Sequence, residues 1–208
     1  MATLEGKRIA ILGGTSGIGY AVAKTSLLSR AEHVFVASSS PDKVKSAVSR
    51  LCAEPALQTL HSDLPERITG EVVNMENTDT VKEFFDKIGE IDHLIITSGR
   101  FTGRQVDVKT SDLDQARCFL LHKPRAGASI VASVLGAVDA FTRALAVELA
   151  PIRVNVVCPG AVLTEMWDAM PTEKKQVMLK DLAGKLPVRH VASPDEVAEA
   201  YLFLMKYV

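Results

Sequence analysis

The sequence predicts an α/β fold: a doubly wound sheet of parallel strands with helices on both faces, in a single domain over 1–208. Three observations carry this reading. Short apolar runs near 8–12, 32–37, 71–74, 92–97 and 152–157 alternate with stretches of helical periodicity, the pattern of strands joined by crossover helices. The first run opens directly onto glycines at 13, 17 and 19 and then onto helix formers. At 208 residues, the chain is long enough for one domain with a sizeable core.

Ile9, Ala10, Ile11 and Leu12 form the first run, and Gly13-Gly14-Thr15-Ser16-Gly17-Ile18-Gly19 follows it. A strand that turns through glycines into a helix makes a site for anions. The first-turn N–H groups lack intrahelical partners, the helix dipole is positive there, and glycine lets a phosphate approach the backbone. Gly13 suits the tight turn, Gly17 the close approach and Gly19 the packing of helix on strand. A bare β–α turn without a ligand would use glycines too.

The second strand, near 32–37, ends in Ser38-Ser39-Ser40-Pro41-Asp42-Lys43. In dinucleotide-binding sheets this strand end meets the adenosine ribose, where an acid binds the 2′-OH of NAD and hydroxyls with a cation suit the 2′-phosphate of NADP. No acid closes the strand, and Ser38, Ser39 and Lys43 favour NADP(H). The serines would alternatively cap the helix expected over 42–51. A third strand near 71–74 leads to a helix over 78–88, with Val81, Phe84, Phe85 and Ile88 on one face. A fourth strand ends at Thr97-Ser98-Gly99. Residues 136–150 read as an amphipathic helix carrying an Asp139–Arg143 pair at i,i+4. The final helix starts at Ser193-Pro194-Asp195-Glu196, a cap followed by proline at the first position.

The bulk composition excludes several function classes. The 24 basic and 25 acidic side chains give a net charge of −1, so nothing electrostatic favours nucleic acid. No apolar run is long enough for a membrane span, and the N-terminus lacks an apolar signal core. The 3 cysteines (Cys52, Cys118 and Cys158) are widely spaced, and the 5 histidines never fall at i,i+4, so no disulfide framework or metal site is expected. A cytoplasmic setting follows as an expectation.

The turn GGTSGIG, the Pro159-Gly160 pair closing an apolar run and the Thr164 four residues beyond it together resemble the short-chain dehydrogenase/reductase family. The resemblance implies a Rossmann-like oxidoreductase using NADP(H) on a carbonyl, imine or alcohol of a small apolar metabolite. It implies that Gly13, Thr15, Ser16, Gly17, Ile18 and Gly19 hold the cofactor's phosphates, and that Asn74 stands near the adenine, where the family carries Asp. Gly99 would keep the backbone clear of the cofactor, while Pro159, Gly160 and Val162 would meet its nicotinamide end and Thr164 would reach its phosphates or its amide. Residues 164–183, with Met166, Trp167 and Met170, resemble the segment that covers the substrate pocket, or are ordinary packing. Such enzymes pair through long helices, so a homo-oligomer is implied.

The chain departs from the family in one stretch and at its end. Members of the family place a catalytic Asn, a fifth strand ending in a catalytic Ser, and a Tyr-x-x-x-Lys pair where this chain has only the residues between Gly99 and Gly136. If 128–134 is the fifth strand, Ser133 falls on the catalytic Ser. Aligned backward from the later helix, the Tyr and Lys positions fall on Val131 and Leu135. Neither alignment supplies the pair. Tyr20 and Lys24 spell the motif, but at the phosphate end of the expected cofactor. The fifth strand is thus expected to be short or lost and the last strand missing. A protein that binds the cofactor without redox turnover, as a regulator, scaffold, isomerase or cyclase, is the alternative to the oxidoreductase.

Overall fold

In the computed structural model, the structure describes residues 3–98 and 129–207. The chain divides into two compact units, described here in turn. The first holds 3–98, 163–178 and 193–207, and is built on a parallel sheet.

Its elements follow the expected alternation: β1 (Arg8–Leu12), α1 (Gly17–Leu28), β2 (His33–Ser38), α2 (Pro41–Ala53), α3 (Pro55–Leu60), β3 (Ile68–Val72), α4 (Thr78–Ile88) and β4 (His93–Ile96). All pairings are parallel, in the order β3-β2-β1-β4, with Ala10 level with both Phe35 and Leu94. Alternation along each strand sorts side chains between the two faces. Ile9, Ile11, Val34 and Val36 enter one core with Val22 and Leu27 of α1, Leu51 of α2 and Leu57 of α3. Ala10, Leu12, Phe35 and Ala37 enter the other with Phe84 and Ile88 of α4. Helices therefore cover both faces, as a doubly wound sheet requires. Each fully buried Ile, Val or Leu contributes about 1.5–3 kcal/mol, so β1 and β2, buried on both faces, anchor the unit.

α6 (Thr172–Lys185), of which residues 172–178 belong to this unit, follows a 3₁₀ turn at Glu165–Ala169. α7 (Pro194–Lys206) begins with the expected cap: the Glu196 N–H donates to the Ser193 hydroxyl at 3.2 Å, and the Ser193 N–H donates to the Glu196 carboxylate at 2.6 Å. That reciprocal bonding satisfies two orphan donors at the helix start. Ala198, Leu202 and Met205 then bury against the α1 side of the core.

The third strand lies at 68–72 rather than 71–74. Its Thr-Gly-Glu interior lacks an apolar signal because β3 is the first strand of the sheet order, with neighbours on one side only among the described residues. Gly70 is required there: a Cβ on it would lie 2.5 Å from Val44 Cγ1 and 2.8 Å from Val48 Cγ2 of α2. The Val73 N–H still reaches the Ser38 carbonyl at 3.0 Å, just past the strand.

The second unit spans 129–162 and 179–192 among the described residues. Its helix, α5 (Ser129–Glu148), starts seven residues before the expected 136 and carries the Asp139–Arg143 pair at 2.9 Å. This overturns the strand reading of 128–134 wherever it is described: Ser133 lies within a helix and donates to the Ser129 carbonyl at 2.8 Å, one turn back. Val131 and Leu135, on which the backward alignment sets the Tyr and Lys positions, lie in this helix. The expected strand at 152–157 is absent as well. Its β-branched residues supply propensity, but a strand needs a ladder partner and a surface to pack on, and Ile152 is 64% exposed.

One polar clamp joins β1 to β4. The Asp92 carboxylate accepts from Lys7 Nζ at 2.8 Å and from the Arg8 N–H at 2.9 Å, while the Asp92 N–H donates to the Arg8 carbonyl at 2.9 Å. Burial pushes the Asp92 carboxyl upward, but the bonds from Lys7 and Arg8 and the nearby positive charges outweigh this and hold it below the usual carboxylate range. A folded value below the unfolded one gives stability that is complete above the unfolded value and is lost as pH falls through the folded one. Asp92→Asn is expected to cost about 1 kcal/mol at neutral pH, a charge-assisted bond discounted for exposure. In urea melts, the gap between the two proteins should close below roughly pH 4. A gap independent of pH would show that the charge of Asp92 contributes nothing.

Candidate cofactor-binding site

The glycine turn closes the C-terminal end of β1 over the ends of its neighbours. Gly13 has φ +94° and donates its N–H to the Ala37 carbonyl at 2.8 Å. The N–H groups of Thr97 and Ser98 both reach the Leu12 carbonyl, at 2.9 and 3.0 Å. A Cβ on Gly13 would lie 2.8 Å from Ser98 Cα, and one on Gly19 would collide with the Gly13 carbonyl oxygen and Thr97 Oγ1. Both glycines are therefore dictated by close approach of backbone to backbone. Gly17, with φ +52°, is the first residue of α1, after Ser16 in an extended conformation.

Six of the sequence-predicted residues, Gly13, Thr15, Ser16, Gly17, Ile18 and Gly19, lie together in this turn and the helix start that follows it. Thr15 is buried, Ser16 exposed, and Ile18 packs its side chain on the core. Ser38 closes β2 and Ser39 follows it; Ser40 is the residue that caps α2, accepting from the Lys43 N–H at 3.4 Å. The capping alternative thus falls on Ser40, with Ser38 and Ser39 preceding it. Lys43 shares a cleft of about 530 Å³ with Thr15, Ser16 and Ser46. Asn74 follows β3, and its side-chain oxygen accepts from the Glu76 N–H at 3.1 Å, which leaves its NH₂ as the group to offer an adenine. Gly99 lies outside the described residues. Ser133, Pro159, Gly160 and Val162 belong to the second unit, where Val162 is buried and bridges to Ala192.

Two residues that sequence reading missed converge on the turn. Arg50 donates from Nη2 to the Thr15 carbonyl at 2.7 Å, and its guanidinium lies 4.1 Å from the centre of the Tyr20 ring. Glu165 accepts from the Gly17 N–H at 2.7 Å, and its other oxygen is 3.7 Å from Arg50 Nη1. α1 has no acidic residue in its own first turn, so this carboxylate meets the positive end of the helix from outside. Arg50 and Glu165 line both the Lys43 cleft and a second one of about 360 Å³ beside Gly17, Tyr20 and Lys24. Arg50 had a faint signal: it stands seven residues after Lys43, two turns along one helix face. Glu165 had none, since its contact spans 148 residues.

Tyr20 and Lys24 do not act as a pair. Lys24 binds Asp195 of α7 at 2.8 Å, while Tyr20 lies under Arg50. Burial pushes the Tyr20 phenol above its ordinary value despite the pull of Arg50. A proton donor activated by lysine would need the opposite shift. Among the described residues, no group of His, Cys, Asp or Glu gathers to hold a metal, and no helix is long and apolar enough to cross a membrane.

Comparison with known proteins agrees with this geometry. Residues 2–113 match the model of the SDR-like Rossmann domain, and residues 122–207 match that of the enoyl-(acyl carrier protein) reductase. The short-chain dehydrogenase/reductase ATR9 of Stachybotrys chlorohalonatus is 32% identical, with 99% of this chain and 93% of that protein covered. That match runs over 248 positions against the 208 residues here, so the relative has residues without a counterpart in this chain. Among solved structures, the MalC reductase/Diels-Alderase of Malbranchea aurantiaca superposes with a TM-score of 0.81 at 25% identity, covering 98% of this chain and 91% of that one. A small-chain dehydrogenase in complex with NADPH superposes with a TM-score of 0.68 at 25% identity, covering 97% and 91%. The glycine turn, the four-stranded parallel sheet and these matches place the chain in the short-chain dehydrogenase/reductase family of oxidoreductases.

Proposed function

We propose that this protein, acting as one domain over 1–208, is an NADP(H)-dependent oxidoreductase for a carbonyl, imine or alcohol of a small apolar metabolite. The observation that carries the reading is the positive end of α1, opened by Gly17, beside a cleft lined by Lys43 and Arg50. This donor set fits a dinucleotide with a phosphorylated ribose. Backbone N–H groups of the turn suit the pyrophosphate, Ser38, Ser39 and Lys43 suit the 2′-phosphate, and the Asn74 NH₂ suits the adenine. The position of Thr164, whose methyl would lie 3.2 Å from a Cβ on Gly17, supports a contact with the phosphates at this turn. When bound, the cofactor supplies or accepts a hydride; the protein's part is to hold it still and keep its charges compensated. The free thiols of Cys52 and Cys158 suit a reducing, cytoplasmic setting.

Cofactor choice is directly testable. The protein is expected to bind NADP⁺ more tightly than NAD⁺, and replacing Ser38, Ser39 and Lys43 together by Ala should erase the difference. Each charge-assisted bond to a phosphate is worth about 1.5–3 kcal/mol, so a loss of at least tenfold is expected in titration calorimetry. Equal affinity of the unaltered protein for the two cofactors would refute the role given to these residues.

A second reading, cofactor binding without redox turnover, is favoured by one observation. The chain has 3 tyrosines, Tyr20, Tyr201 and Tyr207, none of them in or near α5, where the family keeps its proton donor. Ser133 is a poor substitute: a hydroxyl is too weak an acid to replace a lysine-assisted phenol, and this one donates one turn back along a helix. Carbonyl reduction should then depend on water for its proton and run slower by the ~10²–10⁴ that general acid catalysis contributes. Single-turnover NADPH oxidation with a reactive ketone measures this. The control is a variant carrying the missing Tyr-x-x-x-Lys segment of a relative. A rate unchanged by that insertion would mean that another group supplies the proton, and product formed without cofactor turnover would favour the non-redox reading.

A further inference from the structure

The anion-binding end of α1 already has an anion on it. The Gly17 N–H, at a left-handed φ of +52°, donates to Glu165 Oε2 at 2.7 Å. The other carboxylate oxygen faces Arg50 Nη1 at 3.7 Å. Thr164 precedes it in an extended conformation, and Glu165 itself opens a 3₁₀ turn that includes the buried Trp167. A carboxylate and a phosphate present the same chemistry to this site: negative oxygens that accept from a backbone N–H and attract a guanidinium.

We propose that Glu165 is an internal competitor for the phosphate position, so that the cofactor binds by displacing its carboxylate. The inference rests on the reading above that the cofactor's phosphates sit at this turn. Two features make the exchange practicable. The Glu165 side chain is 47% exposed, so water receives the carboxylate once it swings out, and only a modest attraction opposes the exchange. Arg50, by contrast, is held independently of Glu165, by its bond to the Thr15 carbonyl at 2.7 Å and by the Tyr20 ring. It therefore stays in the cleft it shares with Lys43 when the carboxylate departs, and turns from an internal partner to one for the ligand. Glu165 thereby sets cofactor affinity without belonging to the reaction.

The test uses the whole protein with NADP⁺ as probe. Glu165→Gln keeps the size and removes the charge, Glu165→Ala removes the contact, and Glu173→Gln removes a charge from the first turn of α6 as a control. Both Glu165 variants should bind NADP⁺ about fivefold tighter, and the Glu173 variant should match the unaltered protein. In the absence of ligand, the Gly17 amide should exchange with solvent faster in Glu165→Ala than in the unaltered protein. The single tryptophan, Trp167, gives a further reading: NADP⁺ should change its emission in the unaltered protein. Equal or weaker binding by both Glu165 variants, or an unchanged Gly17 amide, would overturn the competition while leaving the cofactor assignment standing. Failure of every protein to bind NADP⁺ would overturn both.

Discussion

The turn after β1 works only because three chain segments meet there without side chains between them. The Gly13 N–H holds the end of β2, the Leu12 carbonyl holds the backbone after β4, and Thr97 Oγ1 lies 3.3 Å from the Gly13 carbonyl. Gly19, one turn into α1, fits against that same carbonyl because it has no Cβ. Strand ends and helix start are thus locked by backbone contact, and the direction of α1 follows from the sheet. A helix aimed this way presents its unpaired N–H groups at the C-terminal edge of the parallel strands, where open α/β sheets take their ligands. Fold and site are one constraint here: a methyl group at position 13 or 19 would disturb both.

Electrostatics around the turn is built from pairs that cost little to break. Lys24–Asp195, Lys175–Asp168 and Arg50–Glu165 are all partly exposed. Exposed pairs contribute about 0–1 kcal/mol each. They do not hold the unit together; the core on α1 and α7 does that. What they provide is a set of charges that can change partners. A buried ion pair would resist exchange, since breaking it strands a charge away from water. The weakness of these contacts suits the exchange of an internal anion for an external one proposed at Glu165.

Much of this was legible in the sequence, and the parts that were not share a cause. β1, β2 and α4 were readable because their apolar residues face cores on their own sheet, and β4 because its apolar run pairs with β1, although Ile95 packs on a core while Leu94 and Ile96 are exposed. The Ser193 cap was readable because capping is local. β3 was displaced by three residues since Gly70 and Glu71 answer to the packing of α2 and to an edge position. The reading of 152–157 failed in the opposite sense, where strand propensity met no ladder. α5 began earlier than expected because Ser129, Ile130 and Val131 look like strand residues yet continue the helix. The glycine turn after β1, and the positions of Ser38, Ser39 and Lys43 between β2 and α2, came from spacing along one βαβ unit. Glu165 and Arg50 did not, because what places them is contact across the fold rather than any local pattern.

That division bears on the chemistry. The residues proposed to offer charge and N–H groups to a cofactor come chiefly from the first half of the chain, where the sheet and the helix starts position them. The proton donor of the family is displayed on a separate helix and depends on a lysine one turn away to lower its pKa. Tyr20 shows why such a group cannot simply be relocated. It has a lysine at i+4 on the same helix, yet Lys24 faces Asp195, Arg50 stacks on the ring, and burial drives the phenol toward its neutral form. A tyrosine becomes an acid catalyst through its surroundings, and the surroundings of Tyr20 fit it to hold Arg50 against the turn. Binding and proton transfer are therefore carried by structures that can vary independently, and a chain of this family can keep the first while its chemistry is recast.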